Sequence, residues 1–387
     1  MMQKGSHRPR VVLSVTNCIC FDQRVLKIAE TINHLNVDIT IIGRRRGTCC
    51  NTDIVPFRAK RFRMIFKNGF LFYAFYNFRL FIHLLLHRYD ILVANDLDTL
   101  LPNFLVSKLK GLPLVYDSHE YFTGLPEIQH RSFVKWVWTS LEKAILPRLK
   151  YVITVSEPIA KLYKKLYDVE PLVVRNMARN TDHIVPFTPV DLGIKPDELL
   201  VIIQGTGINV DKGAEELIDA INLTERIFLL VIGSGDLIPQ LKEKARNASL
   251  DSRVRFIPPL SWEKLAKYTK SAHAGMCLEK NTNLNYLYSL PNKLFDYIAA
   301  GIPVIAGSLP ESELLIKEYN FGLIIENVTP EAISTALTTL RDNRKLLEEL
   351  KLNAIKAANL LSWEKESTRV VELYTNVLNN FKNRSNR

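Results

Sequence analysis

Residues 199–218 read LLVIIQGTGINVDKGAEELI, and the fold can be argued outward from them. An apolar run is followed by a loop with three glycines and then by an amphipathic helical segment. Strand, loop and helix in this order form the repeating unit of parallel α/β sheets. An apolar run without alternation predicts a strand that is buried on both faces.

The same unit recurs on both sides of this stretch. Toward the C-terminus the apolar runs are IFLLVIG, VRFIP, HAGMCL and PVIAG, and toward the N-terminus they are RVVLSV, DITIIG, DILVAN, LVYDS and YVITVS. A proline-punctuated stretch at 180–198 separates the two series. We predict an α/β chain of two doubly wound domains, 1–185 and 196–365, followed by a helical segment, 366–387, that crosses back to the first domain.

Composition limits the function classes. The 387 residues are 47% hydrophobic and 24% charged, which excludes a small disulfide scaffold and a disordered chain. The net charge of +11 comes from residues 1–190, with 27 Lys/Arg against 15 Asp/Glu, because residues 191–387 carry 24 against 25. The first half is therefore expected to face an anionic partner, such as nucleic acid, a lipid surface or a phosphorylated substrate.

Cysteine usage and the first residues favour the cytoplasm. Five cysteines without a CxxC spacing are typical of a reducing compartment, and the N-terminal residues lack the apolar region of a signal peptide. The most apolar stretch, 70–86, is interrupted by Asn77, Arg79 and His83 and is shorter than the ~20 residues of a spanning helix, so we do not predict a transmembrane segment.

Two segments of the second half could bind a phosphorylated ligand. In the loop at 205–213, backbone amides, a helix N-terminus and Lys212 together favour a diphosphate, although a plain strand–helix turn has the same pattern. In 278–307, Pro291 starts a helix whose first amides and Lys293 would face an anion, and Asp296 could accept two ribose hydroxyls; a capped core helix is the alternative. Gly233 and Gly235 lack the third glycine of a dinucleotide fingerprint, which argues against a dehydrogenase.

Polar residues also follow the strands of the first half. Asp22 and Arg24 lie where a helix begins, either near the acceptor or as a helix N-terminal acid and a solvated arginine. Asp96 and Asp98 resemble a DxD metal motif but lack further oxygen ligands, so we expect no metal; they would orient a sugar hydroxyl or cap a helix. His119, after a strand, could donate to a phosphate or a sugar hydroxyl, or be structural.

On these residues the sequence resembles glycosyltransferase family 4, the retaining nucleotide-sugar-dependent enzymes of the GT-B fold. The resemblance rests on DQRVLKIAE at 22–30, the strand-end His119, GTGINVDKG at 205–213, GSGD at 233–236 and NKLFDYIAAGIPV at 292–304. It implies two Rossmann-like doubly wound parallel-sheet domains facing each other across a cleft. The segments ANDLDTLLP, VYDSHEYF and LNYLYSLPNKLFDY further resemble a bacterial subgroup that serves capsule, lipopolysaccharide or other surface polysaccharide synthesis.

The resemblance also implies roles for individual residues. Lys212 would bind the donor diphosphate, Asp296 the ribose, and His119 would reach the donor sugar and phosphate from the N-terminal domain. The predicted donor-binding set is Gly205, Thr206, Asn209, Gly233, Tyr288, Ser289, Leu290, Asn292, Lys293 and Asp296. The acceptor-side candidates are Asp22, Arg24, Asp96, Asp98 and Glu120.

Three departures from the family pattern concern the donor. Tyr288 stands eight residues before Asp296, in place of the first glutamate of the E-x7-E motif, so Asn285 or Glu279 would recognise the sugar. The arginine that usually accompanies the lysine is missing, with Asn209 as a partial substitute. The N-terminal loop lacks the family's paired glycines.

The reaction implied is a metal-independent hexosyl transfer with retention. Lys212 and helix amides would stabilise the leaving diphosphate, whose phosphate accepts the acceptor's proton, and closure of the domains would bring His119 against the donor. No cofactor is expected beyond the nucleotide-sugar substrate, with UDP-sugars favoured over GDP-sugars, and the acceptor is a glycan or a lipid-linked glycan. The alternatives are a GT-B-fold sugar-nucleotide epimerase, a non-catalytic sugar-nucleotide-binding protein and, less favoured, a nucleic-acid-binding protein.

A basic, aromatic stretch lies in the first half. Residues 54–89 contain seven Lys/Arg and eleven Phe/Tyr but no Asp or Glu. This composition predicts peripheral attachment to the inner face of the cytoplasmic membrane, with five candidate contacts: Arg58, Lys60, Arg61, Arg63 and Lys67. A core helix from about Gly69, preceded by a basic loop, is the alternative, and single-stranded nucleic acid is a rival ligand.

Overall fold

The computed structural model describes residues 8–45 and 56–385. The chain divides into two compact units, unit 1 with Met1–Arg175 and Ser367–Arg387, and unit 2 with Asn176–Glu366. Each unit is built around one parallel sheet, which confirms the prediction of two doubly wound α/β domains.

Unit 1 has a seven-stranded sheet in the order β3-β2-β1-β4-β5-β6-β7, with every pair parallel. Its strands are β1 (Arg10–Ser14), β2 (Asp38–Arg45), β3 (Arg58–Arg63), β4 (Ile91–Asn95), β5 (Leu114–Ser118), β6 (Tyr151–Thr154) and β7 (Leu172–Val173). Its helices are α1 (Gln23–Asn33), α2 (Gly69–Leu86), α3 (Leu97–Lys110), α4 (Pro126–Gln129), α5 (Ser132–Ile145) and α6 (Glu157–Tyr167).

Unit 2 has a six-stranded parallel sheet in the order β10-β9-β8-β11-β12-β13. Its strands are β8 (Leu199–Gly205), β9 (Ile227–Gly233), β10 (Val254–Ile257), β11 (Ala274–Cys277), β12 (Val304–Gly307) and β13 (Gly322–Ile325). Its helices are α7 (Ala214–Asn222), α8 (Ile238–Asn247), α9 (Trp262–Ser271), α10 (Leu284–Tyr288), α11 (Asn292–Ala299), α12 (Pro310–Tyr319), α13 (Pro330–Asp342), α14 (Arg344–Ala358) and the start of α15 (Trp363–Ser385).

Each sheet has one point where the strand order reverses direction. In unit 1 this point lies between β1 and β4, and in unit 2 it lies between β8 and β11. Ligands of open parallel sheets bind beyond the carboxyl ends of the strands at such a point. The fold therefore directs attention to the residues that follow these strands and their neighbours.

The boundary between the units lies after Arg175, ten residues before the predicted one at 185. Residues that we predicted as the end of the first domain and as a linker pack into unit 2 instead. Met177 and Ala178 belong to its apolar core, and Thr181 Oγ1 donates to the backbone oxygen of Ala299. Ser367–Arg387 counts with unit 1, through contacts that include Arg369 Nη1 donating to Val173 O over 2.9 Å.

The basic segment before α2 is a strand and not the loop of the core-helix alternative. β3 holds Arg58, Lys60, Arg61 and Arg63 and pairs with β2 at the edge of the sheet. α2 begins at Gly69, as predicted. Over the described ranges, α2 is the one helix long and apolar enough to cross a membrane. Of this helix, 22% is buried inside the unit.

Two cysteines differ from the expectation of a reduced chain. Cys18 and Cys20 are disulfide-bonded, whereas Cys277 is a buried free cysteine. An odd count without CxxC spacing does not tell which sulfur atoms the fold brings together. Disulfides are typical of oxidising compartments, so the cytoplasmic location stays a proposal. Cys49 and Cys50 lie outside the described residues.

Candidate functional site

His119 of unit 1 is held between two carboxylates. It follows β5 directly, and its Nδ1 lies 3.3 Å from Asp96 Oδ2 while its Nε2 lies 3.3 Å from Asp117 Oδ2. Its backbone amide donates to Asp96 Oδ1 over 2.8 Å. Because a carboxylate faces each ring nitrogen, both nitrogens can act as donors, which is the protonated form of the ring.

The charges around His119 affect the pKa of its ring more than burial does. Burial lowers the pKa of the imidazole, but the carboxylates of Asp96 and Asp117 raise it to about 9. Burial likewise opposes ionisation of Asp117, yet Arg24 and His119 bring the pKa of that carboxyl well below its usual range. Near neutral pH, unit 1 therefore holds His119 as an imidazolium whose charge is balanced within the cluster of Asp96, Asp117 and Arg24.

Arg24 occupies a buried position that neither sequence-based interpretation describes. Its Nη2 lies 2.7 Å from Asp117 Oδ1, and its Nη1 donates to Val174 O over 2.9 Å. Its guanidinium is therefore neither solvated nor directed at an acceptor, and its role is to position the carboxylate that faces His119. No local signal could predict this, since Asp117 is 93 residues away.

The two aspartates after β4 have different surroundings. Asp98 is buried, and its carboxylate accepts from Thr16 Oγ1. Burial raises the pKa of Asp98 to about 7. Asp96 has a φ of 61°, a strained conformation for a residue with a side chain, and such strain is found at functional sites. Asp96 heads α3 without capping it through its side chain, so its carboxylate serves His119.

The remaining acceptor-side candidates lie at the same edge of the sheet. Asp22 caps α1, with its Oδ1 accepting from Val25 N over 3.2 Å, as the helix-start alternative predicted. Glu120 is half-buried next to His119. Its backbone oxygen accepts from Ser118 Oγ over 2.9 Å.

Lys212 of unit 2 lies in the loop after β8. Its Nζ is 4.0 Å from the centre of the Tyr286 ring, in a cation–π contact that steadies the ammonium group. Gly205 ends β8 and Thr206 is exposed in the loop that follows. A positive side chain thus stands beside the carboxyl end of β8, at the reversal point of the sheet.

A second lysine is held by a buried carboxylate after β11. Lys293 Nζ lies 2.8 Å from Glu279 Oε1, with the two side chains 12% and 4% exposed. Burial opposes the charge on Glu279, but Lys293 and then Lys212 lower its pKa below the usual range. Glu279 is therefore paired with a lysine, and Asn285 is buried as well. A role for either residue in recognising the donor sugar stays a prediction.

Asp296 is oriented by a pair of hydrogen bonds that the sequence did not reveal. Gln204 Nε2 donates to Asp296 Oδ2 over 3.1 Å, and Gln204 Oε1 accepts from Thr269 Oγ1 over 2.7 Å. Gln204 comes just before the end of β8, so its place at a strand terminus was the available signal. The amide directs the carboxylate of Asp296 without neutralising it, which keeps an acceptor ready for hydroxyl groups.

Asn209 and Gly233 lie where the segments that follow β8 and β9 come close together. Asn209 Oδ1 accepts from Asp236 N over 2.9 Å, so Asn209 braces the loop, and its role as a partial substitute for the missing arginine stays a prediction. Gly233 lies so close to β8 that an added Cβ would be 1.8 Å from Gly205 O. Position 233 therefore requires glycine because the ends of β8 and β9 pack closely there.

We expect Gly233→Ala to destabilise unit 2 and Gly207→Ala to leave it nearly unchanged. The alanine Cβ at position 233 would clash with backbone and the φ of 137° disfavours any side chain, whereas no atom lies within 4 Å of a Cβ at Gly207. Overpacking and backbone strain together cost about 2–4 kcal/mol. Hydrogen exchange of peptides from β8 and β9 measures the effect, and equal protection in both variants would contradict it.

The segment before α11 contains the short helix α10. α10 ends at Tyr288, and Asn283 caps it by accepting from Tyr286 N over 2.9 Å. Ser289 donates to Tyr286 O over 2.9 Å, and the Leu290 side chain is in the core. Asn292 begins α11 and its Oδ1 accepts from Asn176 Nδ2 over 2.8 Å, so these positions can offer a ligand backbone amides more readily than side chains.

Within the described parts of the chain, no group of three or more His, Cys, Asp or Glu side chains could hold a metal ion.

Two family descriptions match the chain, one in each unit. "Glycosyltransferase Family 4" matches residues 23–178, and "Glycosyl transferases group 1" matches residues 186–357. A D-inositol 3-phosphate glycosyltransferase of Nocardioides is 24% identical over 266 residues, which are 60% of this chain and 55% of that protein. The chain thus spans about half the length of this curated relative, or less for others.

Solved structures share the fold at low identity. Anabaena HepE in complex with UDP and glucose has a TM-score of 0.77 at 14% identity, over 95% of this chain and 100% of that one. A putative UDP-N-acetylglucosamine 2-epimerase of Listeria monocytogenes has a TM-score of 0.60 at 12% identity, over 94% and 95%. These likenesses concern the fold alone. Because the two family matches together cover most of the sequence, the chain belongs to the glycosyltransferases of family 4 and has the GT-B fold.

Proposed function

We propose that this glycosyltransferase moves a hexose from a UDP-sugar to a glycan or lipid-linked acceptor, with retention of the anomeric configuration. The observation that carries the proposal is the pair of lysines at the reversal point of unit 2, with Lys212 on Tyr286 and Lys293 on the buried Glu279. Two cations beside one carboxylate leave a positive site, which suits a diphosphate.

The parts of the donor would bind to neighbouring strand ends. Asp296, held by Gln204, would accept the ribose hydroxyls, while Lys212, Lys293 and the first amides of α11 would bind the diphosphate. HepE, which shares the fold, was solved with UDP and glucose, and this supports UDP-sugars over GDP-sugars.

In the reaction, negative charge develops on the leaving diphosphate. Lys212 and Lys293 would stabilise it electrostatically. We also propose that His119, held as an imidazolium, contributes to transfer, as the family resemblance implies. Retention would follow if the acceptor hydroxyl attacks from the face that the diphosphate leaves, with a phosphate oxygen taking its proton. No metal or protein nucleophile is needed in this scheme.

We propose that the pathway is surface polysaccharide synthesis on the cytoplasmic side of the membrane. The support is the similarity of ANDLDTLLP, VYDSHEYF and LNYLYSLPNKLFDY to that bacterial subgroup and the basic surplus of the first half. An epimerase or a non-catalytic sugar-nucleotide sensor would share the fold. Release of free nucleoside diphosphate that requires an acceptor separates a transferase from both.

We expect a thermal-shift screen to show selective stabilisation by UDP or a UDP-sugar, lost in Lys212→Ala and Asp296→Ala. The matched control is Lys242→Ala, since Lys242 also lies over an aromatic ring of unit 2, 5.8 Å from the centre of Phe256. Stabilisation in wild type and control but not in the two variants would support the site. Equal shifts in all four proteins, or no shift with any nucleotide, would refute it.

A further inference from the structure

α2 carries two apolar stripes on opposite faces. Phe72, Tyr76, Leu80 and Leu84, spaced four residues apart, are buried in unit 1. Residues two positions away from these in sequence lie about 200° further around the helix axis, and they form the other stripe. The exposed large side chains of that stripe are Phe70 at 62%, Phe78 at 62%, Ile82 at 37% and Leu86 at 74%.

The exposed stripe is too apolar for a solvated face. A surface helix normally has one apolar stripe opposite a polar face, whereas α2, despite Asn77, Arg79 and His83, has apolar side chains on two opposite faces. The apolar surface continues before the helix, where Ile65 and Phe66 are exposed, and on the first turn at Leu71. Contiguous apolar surface of this kind marks an interaction site.

The charges around the stripe select the kind of partner. Arg58, Lys60, Arg63 and Lys67 are exposed on β3 and on the segment that leads to α2. No acid lies between residues 54 and 89. Basic side chains next to exposed aromatic and aliphatic groups complement an anionic lipid surface, where the charges meet headgroups and the apolar groups enter the layer below.

α5 adds a second group of exposed aromatic side chains. Phe133 and Trp136 are 67% and 65% exposed, and their rings stack with centres 6.1 Å apart. α5 lies beside α2, because Trp138 contacts the Tyr73 ring edge-on at 5.5 Å between centres. Exposed Lys135 lies between the stacked pair in sequence. Tryptophan next to lysine is typical of the membrane interface.

We propose that the exposed faces of α2 and α5, together with the basic residues of β3, bind the surface of an anionic bilayer. This rests on the proposed function, since a lipid-linked acceptor is presented there. α2 would lie on the membrane and would not span it, because its other face belongs to the core of unit 1, where the Tyr76 hydroxyl donates to Val15 O. The basic residues were predicted from the sequence as membrane contacts; their place on a strand, the exposed stripe of α2 and the pair on α5 come from the structure.

Vesicle flotation tests this surface. We expect the full chain to float with vesicles of phosphatidylglycerol and phosphatidylcholine, to bind vesicles of phosphatidylcholine alone weakly, and to dissociate at high salt. Phe78→Ser/Ile82→Ser and Phe133→Ser/Trp136→Ser should each weaken binding about tenfold or more. Arg58→Ser/Lys60→Ser/Arg63→Ser should remove the preference for phosphatidylglycerol.

The matched control is Leu352→Ser/Ile355→Ser, which removes two exposed apolar side chains from α14 of unit 2. It should float like wild type. Binding that is unchanged in the α2 and α5 variants, or equally weakened in the control, would overturn the proposal. Two other results would also overturn it. One is a dimer, seen by light scattering, that dissociates in these variants. The other is binding to single-stranded oligonucleotides without binding to vesicles.

The nucleotide screen keeps this outcome separate from the proposed function. UDP stabilises unit 2 whether or not unit 1 binds lipid, so stabilisation without flotation would refute the membrane surface alone. Flotation without stabilisation by any nucleotide would refute the proposed function. Unchanged thermal unfolding of each serine variant would show that lost flotation is not lost folding.

Discussion

Replacing His119 with alanine is expected to lower kcat/KM for glycosyl transfer about 10²- to 10³-fold. The imidazolium is held by two carboxylates at 3.3 Å each, so its charge is fixed in place before the diphosphate leaves. A charge that acts as the leaving group departs should affect kcat more than nucleotide affinity. Steady-state kinetics with the acceptor, together with the nucleotide thermal shift, measure the two effects.

The pH dependence distinguishes the charge of His119 from its shape. The pKa of His119 is raised to about 9, so the ring is charged below that value and neutral above it. Activity that depends on the imidazolium should therefore be lost as pH rises through about 9. Asp96→Asn removes one of the two carboxylates and should start this loss at a lower pH, although the amide oxygen can still accept from the His119 backbone.

The control is His130→Ala, because His130 is exposed and belongs to the same unit. It should retain wild-type kinetics and pH dependence. Titration of the His119 ring by NMR in wild type and Asp96→Asn reports the pKa directly. An unchanged kcat in His119→Ala, or a pKa of His119 near 6.5 in the wild-type protein, would show that the imidazolium has no part in transfer.

The raised pKa of His119 also predicts how the stability of the fold changes with pH. A group whose pKa is higher in the folded chain stabilises the fold most fully below its unfolded value, and that contribution disappears as pH rises through about 9. Asp117 acts in the opposite direction, because Arg24 and His119 lower its pKa. Its contribution is present at neutral pH and is lost on strong acidification.

The sequence predicted the elements that depend on local pattern. Apolar runs followed by amphipathic segments give the strands and helices of both units, and the start of α2 at Gly69 and the place of His119 after β5 follow from the same reasoning. Strand-end positions also gave Asp96 and Lys212 as candidates, because parallel strands bring their carboxyl ends to one edge, whereas Asp296 was a candidate from its place one turn into a helix.

The partners of these residues could not be predicted. Arg24 meets Asp117 across 93 residues, and Gln204 meets Asp296 across 92. Such pairs depend on which strands become neighbours, and no local pattern records that. β3 was missed for a different reason, since a strand of alternating basic residues at a sheet edge has the composition of a solvated loop.

Replacing Glu279 with alanine is expected to lower the stability of unit 2 by about 3–5 kcal/mol. Glu279 and Lys293 are 4% and 12% exposed, so the variant leaves an ammonium group buried without its partner carboxylate. Lys293→Met in the same chain removes that charge and should restore much of the loss, because no unpaired charge is then left buried. The stability of unit 2 in Glu279→Gln should lie between those of Glu279→Ala and of the double variant.

The comparison pair is Lys280 with Glu216, which is nearby but more accessible, with side chains 29% and 20% exposed. Glu216→Ala should cost less than about 1 kcal/mol, since solvent screens the lysine that remains. Hydrogen exchange of peptides from β11 and α11 reports on unit 2 without requiring the whole chain to unfold in one step. If the two glutamate variants lose equal protection, burial does not set the strength of the Glu279–Lys293 pair, and the case for Lys293 as a held phosphate-binding cation weakens with it.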